Sequence, residues 1–395
     1  MEISPQDKTQ WDGALQLHGQ GRYVEALDCL LPLESHLPGN APLLANLGVV
    51  YRDHGDLLRS EQYLRRACAA EPDDAKIHFH LGLTLLYAGR LREGFEEYEW
   101  RWRVDQFAPQ LRQFSQPLWQ GEPLNGRRIL IYGEQGAGDA MQFVRYAPLV
   151  RAAGGEVIVE VLPPLERLMN WMDGGYRVVN ALSPHLERLQ SWMEGKYWIL
   201  DALPAGGQFD VQCPLLGLPH RLGTELESIP PPACFSIPSA LQAKWAERLR
   251  TGRTAVGLVW AGNPKHGNDA ARSLSGECFL PLTGLASIQC WSLQVGRAAA
   301  EAPHAMVNLA EELVDFAETA AVISGLDLVI TVDTAVAHLA GSLGKPVWLL
   351  VAYASDWRWL LGRDDSPWYA SMRIFRQKRP GDWGEVMERI VAELR

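Results

Sequence analysis

From about residue 128 the chain alternates between two patterns. Short apolar runs rich in β-branched residues recur: RILIYG, EVIVEV, TAVGLVW, IQCWSLQV, LDLVITV and PVWLLV. Segments with helix-period apolar spacing lie between many of them. A strand apolar at successive positions is buried on both faces, so the alternation predicts parallel sheets covered by helices on either side. A proline-rich break, SIPPPACFSIPSA over 228–240, divides the region. Two doubly wound α/β domains are therefore expected, over 126–238 and 252–378. The final stretch, WGEVMERIVAELR, predicts a terminal helix within 379–395.

The first hundred residues carry a different rhythm. Gly21, Gly55 and Gly89 are spaced by 34, as are Gly48 and Gly82, and Pro38 and Pro72. A 34-residue period with glycine in the inter-helix turn and proline at the end of the unit is the tetratricopeptide signature. About three helical hairpins are expected over 1–104, each burying against the next what it cannot bury alone. They serve either as a helical cap or as a concave surface for a peptide or partner protein. Residues 105–125, with Pro109, Pro117 and Pro123, read as a connector. The fold class is thus α plus α/β, helical repeats followed by two Rossmann-like domains.

Polar residues placed at strand ends are the candidate chemistry. In TVDTAVAHLAGSLGKPVWLL (331–350) the apolar run stops at Asp333–Thr334 and a helix of small residues follows, with His338 one turn after Thr334. Asp or Thr here is a natural N-cap. The same corner sits at the carboxyl edge of the sheet, where free amides and the helix dipole favour phosphate. Cap and site are both open readings, with Asp333 read chiefly as the cap. The loop after the first strand, GEQGAGDAMQFVRYAPLV (133–150), lacks the Lys-Ser/Thr of a nucleotide triphosphatase loop and the dinucleotide glycine spacing. Glu134, Gly136 and Gly138 belong to it, and Asp139 falls in the opening turn of its helix. Asp139 is either an N-terminal cap or a carboxylate that accepts a proton from a hydroxyl. GLVWAGNPKHGNDAARS (257–273) brings Asn263, Lys265, His266, Asn268 and Arg272 to a strand's carboxyl end, as either a solvated loop or an anion site. DWRWLLGRDDSPWY (356–369) interleaves aromatics with arginine, for stacking or for packing. Trp260 and Trp357 are the candidates to stack on a base or sugar.

Composition narrows the choice. The chain is 47% hydrophobic and 21% charged, enough apolar material for real cores, and its net charge of −10 argues against general nucleic-acid or anionic-membrane binding. No apolar run approaches the ~20 residues of a membrane span, and the polar start MEISPQDKTQ shows no secretory signal. The six cysteines form no C-x-x-C pair and read as reduced, buried thiols of a cytoplasmic protein. No zinc site is expected.

Taken together, GEQGAGDAMQFVRYAPL, VGLVWAGNPKHGNDAARS, LDLVITVDTAVAHLAGSLGKPVW and DWRWLLGRDDSPWY resemble bacterial tetratricopeptide-repeat proteins with a C-terminal glycosyltransferase-like region. That region is similar to glycosyltransferase family 9, the lipopolysaccharide heptosyltransferases of GT-B fold. The layout is also similar to that of protein O-GlcNAc transferases. The resemblance implies an inverting, metal-independent transfer from a nucleotide-diphosphate sugar to a protein or saccharide acceptor, with no cofactor. It places a catalytic base on Asp139. A D-T/S-G-x-x-H donor motif falls on Asp333, Thr334 and His338, with Ala335 in place of the usual glycine. A basic donor-site residue falls nearest Arg272. The missing D-x-D triplet agrees with metal independence. A non-catalytic scaffold that keeps the fold, and still binds nucleotide, is the alternative.

Overall fold

The computed structural model describes residues 3–180 and 209–395. Contacts divide the chain into two units. The first comprises Met1–Arg112, Gly223–Ser228 and Tyr353–Arg363; the second comprises Gln113–Leu222, Ile229–Ala352 and Asp364–Arg395.

The first unit is built from helical hairpins. Pro5–Gly19 pairs with Tyr23–Leu30, Ala41–His54 with Leu57–Ala70, and Ala75–Tyr87 with Leu91–Tyr98. Gly21, Gly55 and Gly89 take positive φ in the turns, which explains one set of 34-residue spacings. The other set lies at helix crossings. A Cβ on Gly48 would meet Leu64 Cγ at 2.5 Å, and one on Gly82 would meet the Tyr98 nitrogen at 2.8 Å. Side-chain caps start the helices: Asn40 accepts from the Leu43 amide, Asp56 from Arg59 and Asp74 from Ile77.

One segment of this unit comes from far along the sequence. Tyr353–Arg363 follows a strand of the second α/β region, yet its aromatics find their partners among the repeats. The Tyr353 ring stacks on Tyr23 at 5.9 Å between centroids, and its hydroxyl donates to the His54 carbonyl at 3.0 Å. Trp357 meets Phe95 edge-on at 5.6 Å. The domain expected as one continuous piece over 252–378 is thus interrupted.

The second unit holds two parallel sheets. In one, Arg128–Tyr132 (β1), Glu156–Val161 (β2), Arg177–Asn180 (β3) and Val211–Pro214 (β4) are ordered β3-β2-β1-β4. The stretch expected as a connector contributes to its edge, because the Trp119 amide donates to Gln212 at 2.8 Å and the Trp119 side chain is fully buried. The other sheet joins Thr254–Val259 (β5), Ile288–Ser292 (β6), Val307–Asn308 (β7), Leu328–Val332 (β8), Val347–Val351 (β9) and Met372–Arg376 (β10). Their order is β10-β9-β8-β5-β6-β7, all parallel.

Both sheets are wound in two directions from their first strand, as a doubly wound α/β fold requires. The apolar runs are buried as the pattern demands. Every residue of β8 is buried, and Val256, Leu258, Ile330, Val332 and Leu350 share one core with the helix Trp383–Leu394. The cysteines are free; Cys213 and Cys290 are buried, whereas Cys234 is exposed rather than buried. Among the described residues no helix is long and apolar enough to cross a membrane.

Candidate functional site

The strand order decides where the candidate residues meet. In the larger sheet, β5 leads outward to β6 and β7, and β8 leads the other way to β9 and β10. Between β5 and β8 the connections leave in opposite directions, opening a crevice at the carboxyl ends where such folds take ligands. β5 and β8 are adjacent, Val259 opposite Thr331. The loop 261–272 and the corner Asp333–Ala335 therefore leave neighbouring strand ends.

At that corner the helix Ala335–Ser342 begins with Thr334 as its N-cap residue, in extended backbone. Asp333, expected as the cap, stands one position before it. The Thr334 side chain makes no capping bond; its hydroxyl pairs with that of Thr331 at 3.1 Å. The reason lies in Thr331, a polar residue buried at the end of β8, whose hydroxyl also donates to the Val332 carbonyl at 2.8 Å. Asp333, Thr334 and Ala335 are partly exposed, and from Val336 to Gly341 the helix is buried. The small residues permit this depth: Ala337 and Ala340 are fully buried, and a Cβ on Gly341 would enter the Tyr369 ring at 2.5 Å.

The first sheet supplies the opposite wall. Beyond β1 the loop of Gly133, Glu134 and Gly136 leads into the helix Ala137–Phe143. This helix packs on Ala335–Ser342. Gly138 lies in this contact, because a Cβ there would lie 2.9 Å from His338 Cδ2, 3.5 Å from His338 Nε2 and 3.5 Å from Ala335 Cα. Asp139, the next residue, is partly exposed and its Oδ2 accepts the Gly136 amide at 2.9 Å. Glu134 is buried. His338 is buried as well, with Nδ1 3.0 Å from the Tyr369 hydroxyl. Gly138, Asp139, Thr334, Ala335 and His338 are thus gathered into one place from strand ends of two sheets.

Other candidates lie elsewhere or are already engaged. Arg272 ends the short helix Asp269–Arg272, its Nε 3.3 Å from Asp269 Oδ1 and its guanidinium over Gly262, whose added Cβ would meet Nη2 at 2.5 Å. Asn263 accepts from the Lys265 amide at 3.0 Å, and the Lys265 side chain is exposed. Two candidates for stacking need correction. Trp260 is fully buried in the core of the larger sheet, 6.3 Å from Phe279, with no face open to a ligand. Trp357 belongs to the helical unit, where Phe95 and Arg358 occupy its surroundings.

Two residues next to the site carry no local sign of belonging to it. Tyr369 lies 31 residues from His338, and only folding brings them together. Arg145 is fully buried over the Tyr369 ring at 4.8 Å. A lone arginine within the apolar stretch FVRYAPLV is its one available signal. Farther off, Arg167 ties the two halves of the unit, donating to Asp315 at 2.8 Å and to Glu318 at 3.1 Å. Burial by itself would raise the Glu318 carboxyl, but hydrogen bonds from Lys244, Trp245 and Arg167 outweigh it and hold the group below its ordinary range. Among the described residues no group of three or more His, Cys, Asp or Glu is placed to hold a metal ion.

Residues 292–381 match the family model described as Glycosyltransferase family 9 (heptosyltransferase). Over 349 residues the chain is 29% identical to Protein FlbA of Caulobacter vibrioides, covering 84% of this chain and 56% of that one. The chain thus spans about half the length of that relative. A glycosyl transferase family 9 structure from Veillonella parvula superposes with a TM-score of 0.46 at 13% identity, covering 69% of this chain and 91% of the other. The ADP-heptose lps heptosyltransferase II of E. coli gives 0.44 at 13% identity, over 68% of this chain and 97% of that one. The chain therefore combines helical repeats with a stretch similar to family 9 glycosyltransferases.

Proposed function

We propose that the chain is a GT-B glycosyltransferase that transfers a sugar, with inversion and without a metal, from a nucleotide-diphosphate sugar to a protein or saccharide acceptor. The observation that carries this reading is the contact of Gly138 with His338 and Ala335, which brings the Asp139 turn against the start of the helix Ala335–Ser342. A proton acceptor and a set of anion-favouring groups then face one space. Residues 292–381, which contain the whole donor corner, are those that match the family 9 model.

The chemistry divides between the two walls. Asp139 takes the proton of the acceptor hydroxyl as its oxygen attacks the anomeric carbon. The leaving nucleoside diphosphate gains negative charge as the glycosidic bond breaks. Amides at the helix start, the Thr334 hydroxyl and His338 stabilise that charge where it develops. Inversion at the anomeric carbon is what the resemblance to family 9 implies, and it requires the acceptor oxygen to attack from the face opposite the departing diphosphate. Arg272, Asn263 and Lys265, on the neighbouring strand end, are further donors to the nucleotide. The helical repeats present a protein acceptor or dock the enzyme on a partner.

One observation favours a second reading. The bond from the Gly136 amide to Asp139 is what a purely structural cap makes, and a scaffold that binds nucleotide without turnover would keep it. Asp139→Asn separates the two, since asparagine can still accept that bond but is not a base. Nucleoside diphosphates should raise the melting temperature of both wild type and this variant. Hydrolysis or transfer from a panel of nucleotide-diphosphate sugars should fall by about a hundredfold or more in the variant. Undiminished turnover removes Asp139 as base, and no shift with any common nucleoside diphosphate removes the donor site.

A further inference from the structure

We infer that Gln294 is a positioning residue that holds Arg272 where its guanidinium meets the donor diphosphate; the ligand assigned to Arg272 rests on the donor-site reading above. Gln294 stands just past β6 and is 4% exposed. Its Oε1 accepts the amides of Trp260 at 3.1 Å and Ala261 at 2.9 Å, where β5 runs out into the loop. Its Nε2 donates to the Ala261 carbonyl at 3.2 Å and to the Val295 carbonyl at 3.1 Å. The carboxamide thus accepts two bonds and donates two. Turned over, it would set its NH2 against two N–H groups and its oxygen against two carbonyls, so one orientation alone fits.

What those bonds fix is the floor under Arg272. Trp260 and Gly262 also hold the returning end of the loop. The Leu274 amide donates to the Trp260 carbonyl at 2.9 Å, and the Gly262 amide donates to Ser273 Oγ at 3.0 Å. Ser273 Oγ in turn donates to Asp269 Oδ1 at 3.0 Å, the same oxygen that faces Arg272 Nε at 3.3 Å. The ion pair lies directly over Gly262, whose added Cβ would stand 2.5 Å from Arg272 Nη2, 2.9 Å from Cζ and 2.8 Å from Asp269 Oδ1. The placement of residues 260–262 therefore sets the placement of the arginine head.

Asp269 engages Nε, and among the described residues neither Nη of Arg272 donates a hydrogen bond. A guanidinium in that state offers parallel N–H donors that match phosphate oxygens. A mobile arginine gives up rotamer freedom when it binds, and one already held has less to lose. Gln294 itself need not touch the ligand. It acts through the backbone of 260–262 and then through Arg272.

The test is a double-mutant cycle, read by calorimetric titration of the full chain with ADP and UDP. Gln294→Met keeps the length of the side chain but makes none of the four bonds, and should weaken whichever nucleotide binds by about tenfold. Arg272→Ala should weaken it at least as much as that. In the Arg272→Ala background, Gln294→Met should cost no more than about twofold further, whereas a merely structural role costs the same in either background. A second readout needs no nucleotide: the nuclear Overhauser effect at the Arg272 Nε–H, its signal identified by its loss in Arg272→Lys. Wild type should give the value of a fixed side chain, and Gln294→Met the lower value of a mobile one. If that variant does not fold, Gln294→Glu, which keeps both accepted bonds and loses both donated ones, replaces it in the two measurements. Equal losses in both backgrounds, full affinity in Arg272→Ala, or an unchanged Arg272 signal overturns the assignment. Failure of both nucleotides to bind wild type sinks the donor-site reading, and the Arg272 signal still decides whether Gln294 holds the side chain.

Discussion

Gly138 shows how far a single residue departs from its helix propensity. In an exposed helix, glycine to alanine gains stability by about 1 kcal/mol. Here the added methyl would meet His338 Cδ2 at 2.9 Å, and that ring cannot swing away because Tyr369 holds its Nδ1. Gly138→Ala is therefore expected to lower stability by about 1–3 kcal/mol in urea unfolding, the range for an overpacked core. It should also weaken the thermal shift given by nucleoside diphosphates. His80 offers a second residue-scale test. Burial first, then the charges of Arg52 and Lys76, push its pKa from 6.5 down to about 3. The unfolded chain takes up that proton as pH falls below 6.5 and the folded chain does not, so stability drops with acidification. Between about pH 6 and pH 5, above the carboxylate range, the slope should be on the order of 1 kcal/mol per pH unit. His80→Gln should remove most of it in denaturant titrations at those two values.

Among elements, the helix Ala335–Ser342 and the segment Tyr353–Arg363 make opposite points about what a sequence discloses. The helix is legible from its strand, its small residues and Gly344 beyond its end, because each of these is a local signal. The same signals put its cap one residue early, since the Thr334 hydroxyl turns to Thr331, a partner that lies inside the sheet. In the segment, tryptophan and arginine alternate as they would in a stacking site, and the pattern does not say which surface it meets. Phe95 answers that for Trp357. Trp357→Ala is expected to destabilise the helical unit by about 3–5 kcal/mol, read as faster proteolysis within residues 1–112. Unchanged cleavage there, with lost nucleotide binding, would return Trp357 to the ligand site.

For the molecule as a whole, continuity along the chain is a poor guide to the units. The helical unit draws Gly223–Ser228 and Tyr353–Arg363 from beyond the repeats. A fragment beginning at residue 113 would keep Tyr353, Trp357 and Leu360 but lose Tyr23, His54, Gly89 and Phe95, which surround them. That fragment is expected to aggregate on size exclusion, whereas the full chain elutes as a defined species. A monodisperse fragment with the full nucleotide-induced thermal shift would show the division to be dispensable.

The sequence by itself determined the helical repeats, the alternation of strand and helix, and the polar strand ends where chemistry was to be sought. Periodicity and glycine spacing are set by neighbours within a few residues or by one repeat length, so they survive in a linear reading. Tertiary structure alone decided the strand order that opens the crevice between β5 and β8, and the approach of Gly138 to His338. It also took Trp260 into the core, moved Trp357 among the repeats, and set Tyr369 and Arg145 behind the histidine. Those outcomes depend on which buried surfaces meet across distant stretches of chain, and packing between such segments leaves no period in the sequence.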